Sequence, residues 1–128
     1  MKRMMLAILC AAACALPASA HHSHVNYAVS DFTIIEGTVK AVHLINPHSW
    51  VYIEVKNAKG ETEQWSLEAT NPRGLETRGI KKDTIKIGDR VKVRCHRQRD
   101  GANGCLLGFL TPMHGDASRG HGVEVEWD

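Results

Sequence analysis

The sequence lacks an apolar run long enough to cross a bilayer, because the longest one, Met4–Leu16, falls short of the roughly 20 residues that a spanning helix needs. It also lacks a glycine-rich phosphate-binding loop, a GxSxG elbow and an HExxH helix. These absences argue against an integral membrane protein and against several large classes of enzyme. The sequence therefore favours a binding or interaction protein over an enzyme, and we name no catalytic residue.

An excess of charge is also absent once the first residues are set aside. Lys2 and Arg3, the apolar Met4–Leu16 and the small residues Ala18–Ala20 have the pattern of a secretory signal peptide, residues 1–20. Cleavage there lowers the Lys and Arg count from 16 to 14, which equals the count of 14 acidic residues. A neutral, exported chain lacks the basic surface of a nucleic-acid binder. We therefore predict a periplasmic or secreted protein with no nucleic-acid partner and no membrane insertion after cleavage.

Cysteine is scarce, and two of the four cysteines, Cys10 and Cys14, fall within the predicted signal peptide. The remaining pair, Cys95 and Cys105, has no CxxC spacing, and disulfides persist outside the cytoplasm. If the hairpin between them turns about Asp100, the two cysteines lie directly opposite one another on neighbouring strands. The spacing therefore predicts a structural disulfide.

A series of β-type runs is present in the mature chain. Two-residue alternation and enrichment in Ile, Val and Thr predict five strands. The first carries an alternation slip at Val39 and Val42 downstream of Gly37, which indicates a bulged, strongly curved strand. The predicted strands are Phe32–Leu44, Trp50–Val55, Gln64–Ala69, Arg90–His96 and Cys105–Thr111.

A short helix is predicted between the third and fourth strands. Asn71 is suited to the N-cap, Pro72 to the first helical position and Gly79 to the end. Three strands, a helix and two further strands form the order of an all-β, OB-like five-stranded barrel; a β-sandwich is the alternative. The predicted organisation is a signal peptide at 1–20, a histidine-rich arm at 21–31, the barrel at 32–112 and a tail at 113–128, whose end either adds an edge strand or remains mobile.

The first two predicted strands are joined by a corner, residues 46–50, with the sequence Asn-Pro-His-Ser-Trp. Pro47 restricts its own φ and favours an extended conformation at Asn46. Loops between barrel strands are common sites of ligand contact in OB-like domains. We therefore expect His48 to lie near whatever small ligand the protein binds.

Histidine is frequent, with eight residues, and three lie within the first four positions of the predicted mature chain. Cleavage before His21 leaves an α-amine that can chelate a metal together with the ring of the same residue. Nitrogen donors in tetragonal geometry suit Cu(II), and tetrahedral histidine sites suit Zn²⁺. No HxxxH helix or HxH strand fixes a geometry, so adventitious affinity and a merely solvated arm are the alternatives. The proposed metal ligands are His21, His22, His24 and His48.

Two tryptophans and an acidic residue near the corner form a possible binding surface. Paired aromatic residues on neighbouring strands are first of all a packing device, and an exposed glutamate commonly pairs with a neighbouring arginine. The alternative function is thus a protein-interaction or envelope-stress module in which the histidines have no metal role. The surface residues are Asn46, Trp50, Trp65 and Glu68.

Several short motifs, from His21–Ser23 through Asn46–Trp50 to Arg99–Gly101, occur in an order that resembles a family of small exported bacterial proteins known as domain of unknown function 6152. The resemblance covers roughly residues 21 to 111 and implies a signal peptide followed by a compact β-rich domain, with no activity to carry over. His24, Ile80 and Ile87 depart from the family pattern. The matching motifs are His21–Ser23, Glu36–Val39, Asn46–Trp50, Trp65–Glu68, Asn71–Leu75, Arg78–Gly79, Lys86–Asp89 and Arg99–Gly101.

Overall fold

The computed structural model describes residues 24–128, which contain six β-strands and one α-helix. The predicted signal peptide, together with Cys10, Cys14, His21 and His22, lies outside the described residues. Two short 3₁₀ turns, His24–Asn26 and Ala117–Arg119, flank the main elements. The elements are β1 (Thr33–His43), β2 (Ser49–Lys56), β3 (Thr62–Ala69), α1 (Pro72–Thr77), β4 (Arg90–Arg97), β5 (Gly104–Pro112) and β6 (Val125–Glu126).

The strands form one sheet in the order β3-β2-β1-β4-β5-β6, and β3 also pairs with β5. That pairing is parallel, from Ser66–Gly104 to Glu68–Leu106, and it closes the first five strands into a barrel. Closure of five strands with α1 between β3 and β4 is the OB-like architecture that the element order predicts. A β-sandwich is excluded, because it would consist of two separate sheets, whereas the pairing of β3 with β5 closes a single sheet.

Curvature of β1 allows it to pair with two neighbours, β2 and β4. Its register with β2 shifts between Val39 and Ala41, which confirms the predicted bulge. Position 37 requires glycine because the backbone of β2 approaches it closely. A Cβ atom there would lie 2.5 Å from the carbonyl oxygen of Glu54. The bend at the middle of β1 is therefore encoded by a bulge and a missing side chain.

The barrel core is filled by alternate residues of every long strand, as a period of two requires. Each Val, Leu or Ile side chain that is fully buried stabilises the fold by roughly 1.5–3 kcal/mol relative to an exposed one. The fully buried strand residues include Val39, Val51, Ile53, Leu67, Val91, Val93, Leu107 and Leu110.

Helix α1 and the segment after it contribute further side chains to this core. Asn71 caps the helix, because its Oδ1 accepts the Gly74 N–H at 2.8 Å, and Pro72 occupies the first turn. Leu75 is buried from the helix, and the loop that follows buries Ile80 and Ile85. The Asn-Pro start predicted from sequence is confirmed.

The Cys95–Cys105 disulfide joins β4 to β5, with the Cα atoms 5.5 Å apart. The predicted bond is confirmed, but its predicted register is wrong. Cys95 lies opposite Leu107, and Cys105 lies opposite Arg97, so the bridge is diagonal. The reason is that the hairpin is centred one residue later than Asp100, which moves the two cysteines out of direct opposition.

The tail, residues 113–128, returns to the barrel. Val125 and Glu126 pair with Leu110 and Phe109 of β5 as an edge strand, the first of the two arrangements considered from sequence. Trp127 follows and is almost completely buried. Its backbone N–H donates to the Gly108 carbonyl at 2.8 Å. None of the helices within residues 24–128 has the length and apolar character of a membrane span.

Candidate functional site

The corner between β1 and β2 holds His48 immediately before the first residue of β2. The peptide bond between Asn46 and Pro47 is cis, and both residues are exposed. Ser49, the first residue of β2, is fully buried and donates its N–H to the Thr70 carbonyl at 3.1 Å. Because Ser49 is anchored inside, the neighbouring His48 side chain is directed to the opposite side, where about 32% of it is exposed.

Glu68 on β3 lies beside His48. The core-facing Leu67 and Ala69 are buried on either side of it, so alternation turns Glu68 to the outer face of the barrel. In the register of β2 and β3, Trp50 is its cross-strand partner. The His48 Nδ1 contacts the Glu68 Oε1, and this contact joins the corner to the outer face of β3.

Tyr27 completes a chain of three side chains. Its hydroxyl donates to the Glu68 Oε2, the second oxygen of the same carboxylate. Tyr27 is buried and lies on the segment that precedes β1, where it forms an isolated antiparallel bridge with Gln98. Residues 24–31, the described part of the predicted arm, are thus attached to the barrel at Tyr27.

The protonation of Tyr27 follows from its surroundings. Burial raises the pKa of its hydroxyl far above the ordinary tyrosine range, and the hydrogen bond to Glu68 and the negative charge of that carboxylate raise the pKa further. The phenol therefore remains protonated at neutral pH and acts as the donor in its bond to Glu68. With one carboxylate oxygen accepting from Tyr27, the other is left to accept from His48.

The tautomer of His48 follows from this arrangement. A neutral imidazole carries its proton on one nitrogen and a lone pair on the other. In the neutral ring, a proton on Nδ1 directed at the Glu68 carboxylate leaves the lone pair on Nε2. A carboxylate that orients a histidine in this way is the usual outer partner of a histidine that ligates a metal.

The predicted ligands are only partly described. His24 Nε2 lies 3.9 Å from the Asp128 Oδ1, at the start of the docked segment. His21 and His22 precede the described residues. Residues 24–128 contain no group of three or more His, Cys, Asp or Glu side chains arranged to hold a metal ion.

The predicted binding surface is divided between the two faces of the sheet. Trp50 and Glu68 share the outer face, and the exposed Asn46 lies on the corner next to them. Trp65 is cross-strand partner of the core residue Ile53 and is itself buried. The Arg97 guanidinium lies 4.8 Å from its ring centroid. Trp65 therefore belongs to the core: it lies three positions from Glu68 on the same strand, and an odd difference in position puts two strand residues on opposite faces.

Two other aromatic rings occupy the outer face beside Trp50. The Tyr52 ring is 6.4 Å from the Trp50 ring at an interplanar angle of 19°, and the exposed His43 packs edge-on against Tyr52 at 5.3 Å. The period of two in β2 is the signal that could have identified Tyr52 as the neighbour of Trp50. Tyr27 had no comparable signal, because residues 21–31 show no hydrophobic period.

The sequence matches the family of unknown function DUF6152 over residues 8–107. The chain belongs to this family. The DUF6152 match includes Tyr27, His48 and Glu68 and ends within β5, so that the tail with Trp127 lies beyond it. Comparisons with curated proteins and with solved structures gave no match.

Proposed function

We propose that this protein is an exported domain that binds one divalent copper or zinc ion through histidines of its N-terminal segment together with His48. The observation that carries the proposal is the chain of contacts from Tyr27 through Glu68 to His48. It brings the segment that follows the proposed N-terminal ligands to the histidine of the corner. The proposed ligand set is His21, His22, His24 and His48.

The first support is the environment of His48. Its Nδ1 contacts a carboxylate that also accepts a hydrogen bond from Tyr27, so the ring is held on one side by a fixed partner. Outer partners of this kind orient the ring of a metal-bound histidine and raise its basicity, and their loss typically costs 10–100-fold in metal affinity. Glu68 serves this purpose in our proposal without being a ligand.

The second support is the short length of chain between Tyr27 and the predicted mature N-terminus. His24 is three residues before Tyr27, and His21 is six residues before it. The 3₁₀ turn at His24–Asn26 rises about 2 Å per residue, and an extended chain adds at most about 3.3–3.6 Å for each of the three residues before it, so the upper limit of the reach of His21 from Tyr27 is about 16 Å. The proposed N-terminal ligands are therefore connected to Tyr27 by only a short length of chain.

The donor set favours copper over zinc. With cleavage after Ala20, the α-amine and the ring Nδ1 of His21 form one chelate, and further imidazoles complete a set of nitrogen donors. Cu(II) prefers nitrogen ligands in a tetragonal arrangement, and it binds more tightly than Zn²⁺ to most such sites. Zn²⁺ bound by three histidines would be tetrahedral.

A second candidate function is the docking of an envelope protein on the outer aromatic face. His43, Trp50 and Tyr52 form a contiguous, partly exposed group beside Glu68. Aromatic residues are enriched at the centres of protein interfaces. This function predicts that Trp50→Ala abolishes partner binding, whereas metal binding through His48 would persist in that variant.

The deciding experiment is a Cu(II) titration of the mature protein, purified without a histidine tag and with its N-terminus verified by mass. We expect one tight equivalent, which is lost in His48→Ala and in protein that carries one extra N-terminal residue. His121→Ala is the matched control, because that ring accepts the Gly115 N–H in the tail and is not among the proposed ligands. Unchanged binding in both altered proteins would show that the proposed site is wrong.

A further inference from the structure

Residues 24–31, which we call the strap, run along the end of β4 and the loop that follows it. Ala28 donates its N–H to the Arg97 carbonyl at 2.8 Å, and Arg99 donates its N–H to the Asn26 carbonyl at 2.9 Å. The His96 Nδ1 lies 2.7 Å from the carbonyl oxygen of Asp31. These bonds attach the backbone of the strap to one strand and its loop.

Tyr27 provides the strap with a second attachment, on a different strand. Its side chain reaches β3 through the bond to Glu68, whereas the backbone bonds involve β4 and its loop. It is also the residue of the strap that buries apolar surface. Tyr27 is 5% exposed, while Val25 is 70% exposed and Val29 is 47% exposed. The position of the strap on the barrel therefore depends strongly on this one side chain.

Glu68 connects the strap to His48 because both of its oxygens are engaged. Oε2 accepts from Tyr27 and Oε1 contacts His48. A carboxylate held at both oxygens has a fixed plane, whereas one held at a single oxygen can rotate about its last bond. Removal of the Tyr27 hydroxyl would therefore loosen the carboxylate that orients His48.

We propose that Tyr27 is a positioning residue of the metal site, which couples docking of the strap to the orientation of His48. This inference rests on the proposed metal-binding function. Tyr27 acts in two ways: it attaches the strap, which begins at His24, to β3, and through Glu68 it fixes the ring of His48. By thermodynamic linkage, the free energy that docking of the strap adds to metal binding equals the free energy that bound metal adds to docking of the strap.

The test compares Cu(II) binding by Tyr27→Phe with that by Tyr52→Phe, in mature protein with a verified N-terminus. Tyr27→Phe removes one oxygen and retains the buried ring, and Tyr52→Phe makes the same change on the outer face of β2. We expect Tyr27→Phe to weaken Cu(II) binding by about 10–100-fold, the usual effect of losing an outer partner. We expect Tyr52→Phe to leave the affinity as in the wild type.

A double-mutant cycle separates positioning from general loss of stability. In a Glu68→Ala background, which retains His48 as a ligand, the Tyr27→Phe change should have a much smaller effect on copper affinity, because two residues that act through one network are not additive. Equal effects in both backgrounds would overturn the route through Glu68.

Hydrogen exchange at the Ala28 amide tests the coupling directly, since that amide is bonded to Arg97 in the docked strap. We expect Cu(II) to slow its exchange in the wild type and to slow it less in Tyr27→Phe. If the wild type binds no tight equivalent of Cu(II), the proposed function itself fails. If the wild type binds it and Tyr27→Phe binds it equally well, only the role of Tyr27 is refuted.

Discussion

The hydroxyl of Tyr27 donates to the carboxylate of Glu68 on β3, 41 residues further along the chain, whereas the Tyr27 backbone forms a bridge with Gln98, just after β4. Through this bond a segment with no predicted structure becomes part of the barrel surface. The same carboxylate contacts His48. A small change at Tyr27 therefore affects both the attachment of the strap and the corner.

The first prediction concerns alkaline pH. The pKa of Tyr27 is higher in the folded protein than in the unfolded chain, so its contribution to stability is complete below the unfolded value of about 10. That contribution is lost as the pH rises above about 10 towards the folded pKa. We expect the stability advantage of the wild type over Tyr27→Phe to shrink over this range in urea unfolding.

Tyrosinate absorbance provides the independent measurement. The difference between the titrations of wild type and Tyr27→Phe reports the ionisation of Tyr27 alone. We expect that difference to appear only as the protein unfolds. A difference that develops while the protein is folded, at the ordinary pKa of tyrosine, would contradict the buried hydrogen bond to Glu68.

The second prediction concerns Asp89, which connects the loop before β4 to the tail. Burial alone would raise the pKa of its carboxyl, but hydrogen bonds from Arg119 and from the Lys86 amide, together with the charge of Arg119, hold it below the usual range. Its stabilisation is therefore present above the unfolded pKa, about 4, and is lost as the pH falls through the folded value.

We expect Asp89→Asn to lower the free energy of unfolding at neutral pH by about 1–3 kcal/mol, because the charge of Arg119 loses its partner. The gap to the wild type should close as the pH falls below about 4. Asp83→Asn is the matched control, since that carboxylate makes no hydrogen bond or ion pair within residues 24–128. Equal stability of wild type and Asp89→Asn at neutral pH would disprove this account.

The third prediction concerns Trp127, which is 1% exposed although it is the penultimate residue. Truncation of a buried tryptophan to alanine removes its packing and leaves a cavity, so Trp127→Ala should destabilise the fold by about 3–5 kcal/mol. Val123→Ala, in the same tail but 57% exposed, should change stability by less than about 0.5 kcal/mol. The measurement is denaturant unfolding of both variants. Similar decreases in the free energy of unfolding for Trp127→Ala and Val123→Ala would mean that the tail does not complete the core.

Local sequence patterns predicted much of the fold. Alternation in β2, β3 and β4 predicted which residues face the core, and the slip at Val39 predicted the bulge in β1. Asn71 and Pro72 predicted the start of α1. These features depend on residues close together in the chain, so a short stretch of sequence contains the whole signal.

Part of the candidate site could also be predicted in this way. His48 was identified from the rigid corner, and Glu68 from its place opposite the core-facing residues of β3. Trp65 was grouped with Trp50 although the alternation of β3 turns it inwards, as its burial shows. The geometry of the contact between His48 and Glu68 depends on the register of β2 and β3.

The corner at Asn46–Trp50 and the order of the strands were thus determined by the sequence itself. Only the tertiary structure decided that β3 pairs with β5, that Trp127 completes the core, and that Tyr27 reaches Glu68. The physical reason is the same in all three cases. Each contact joins segments far apart in the chain, and its free energy exists only after the barrel has brought those segments together, so no local pattern of residues records it.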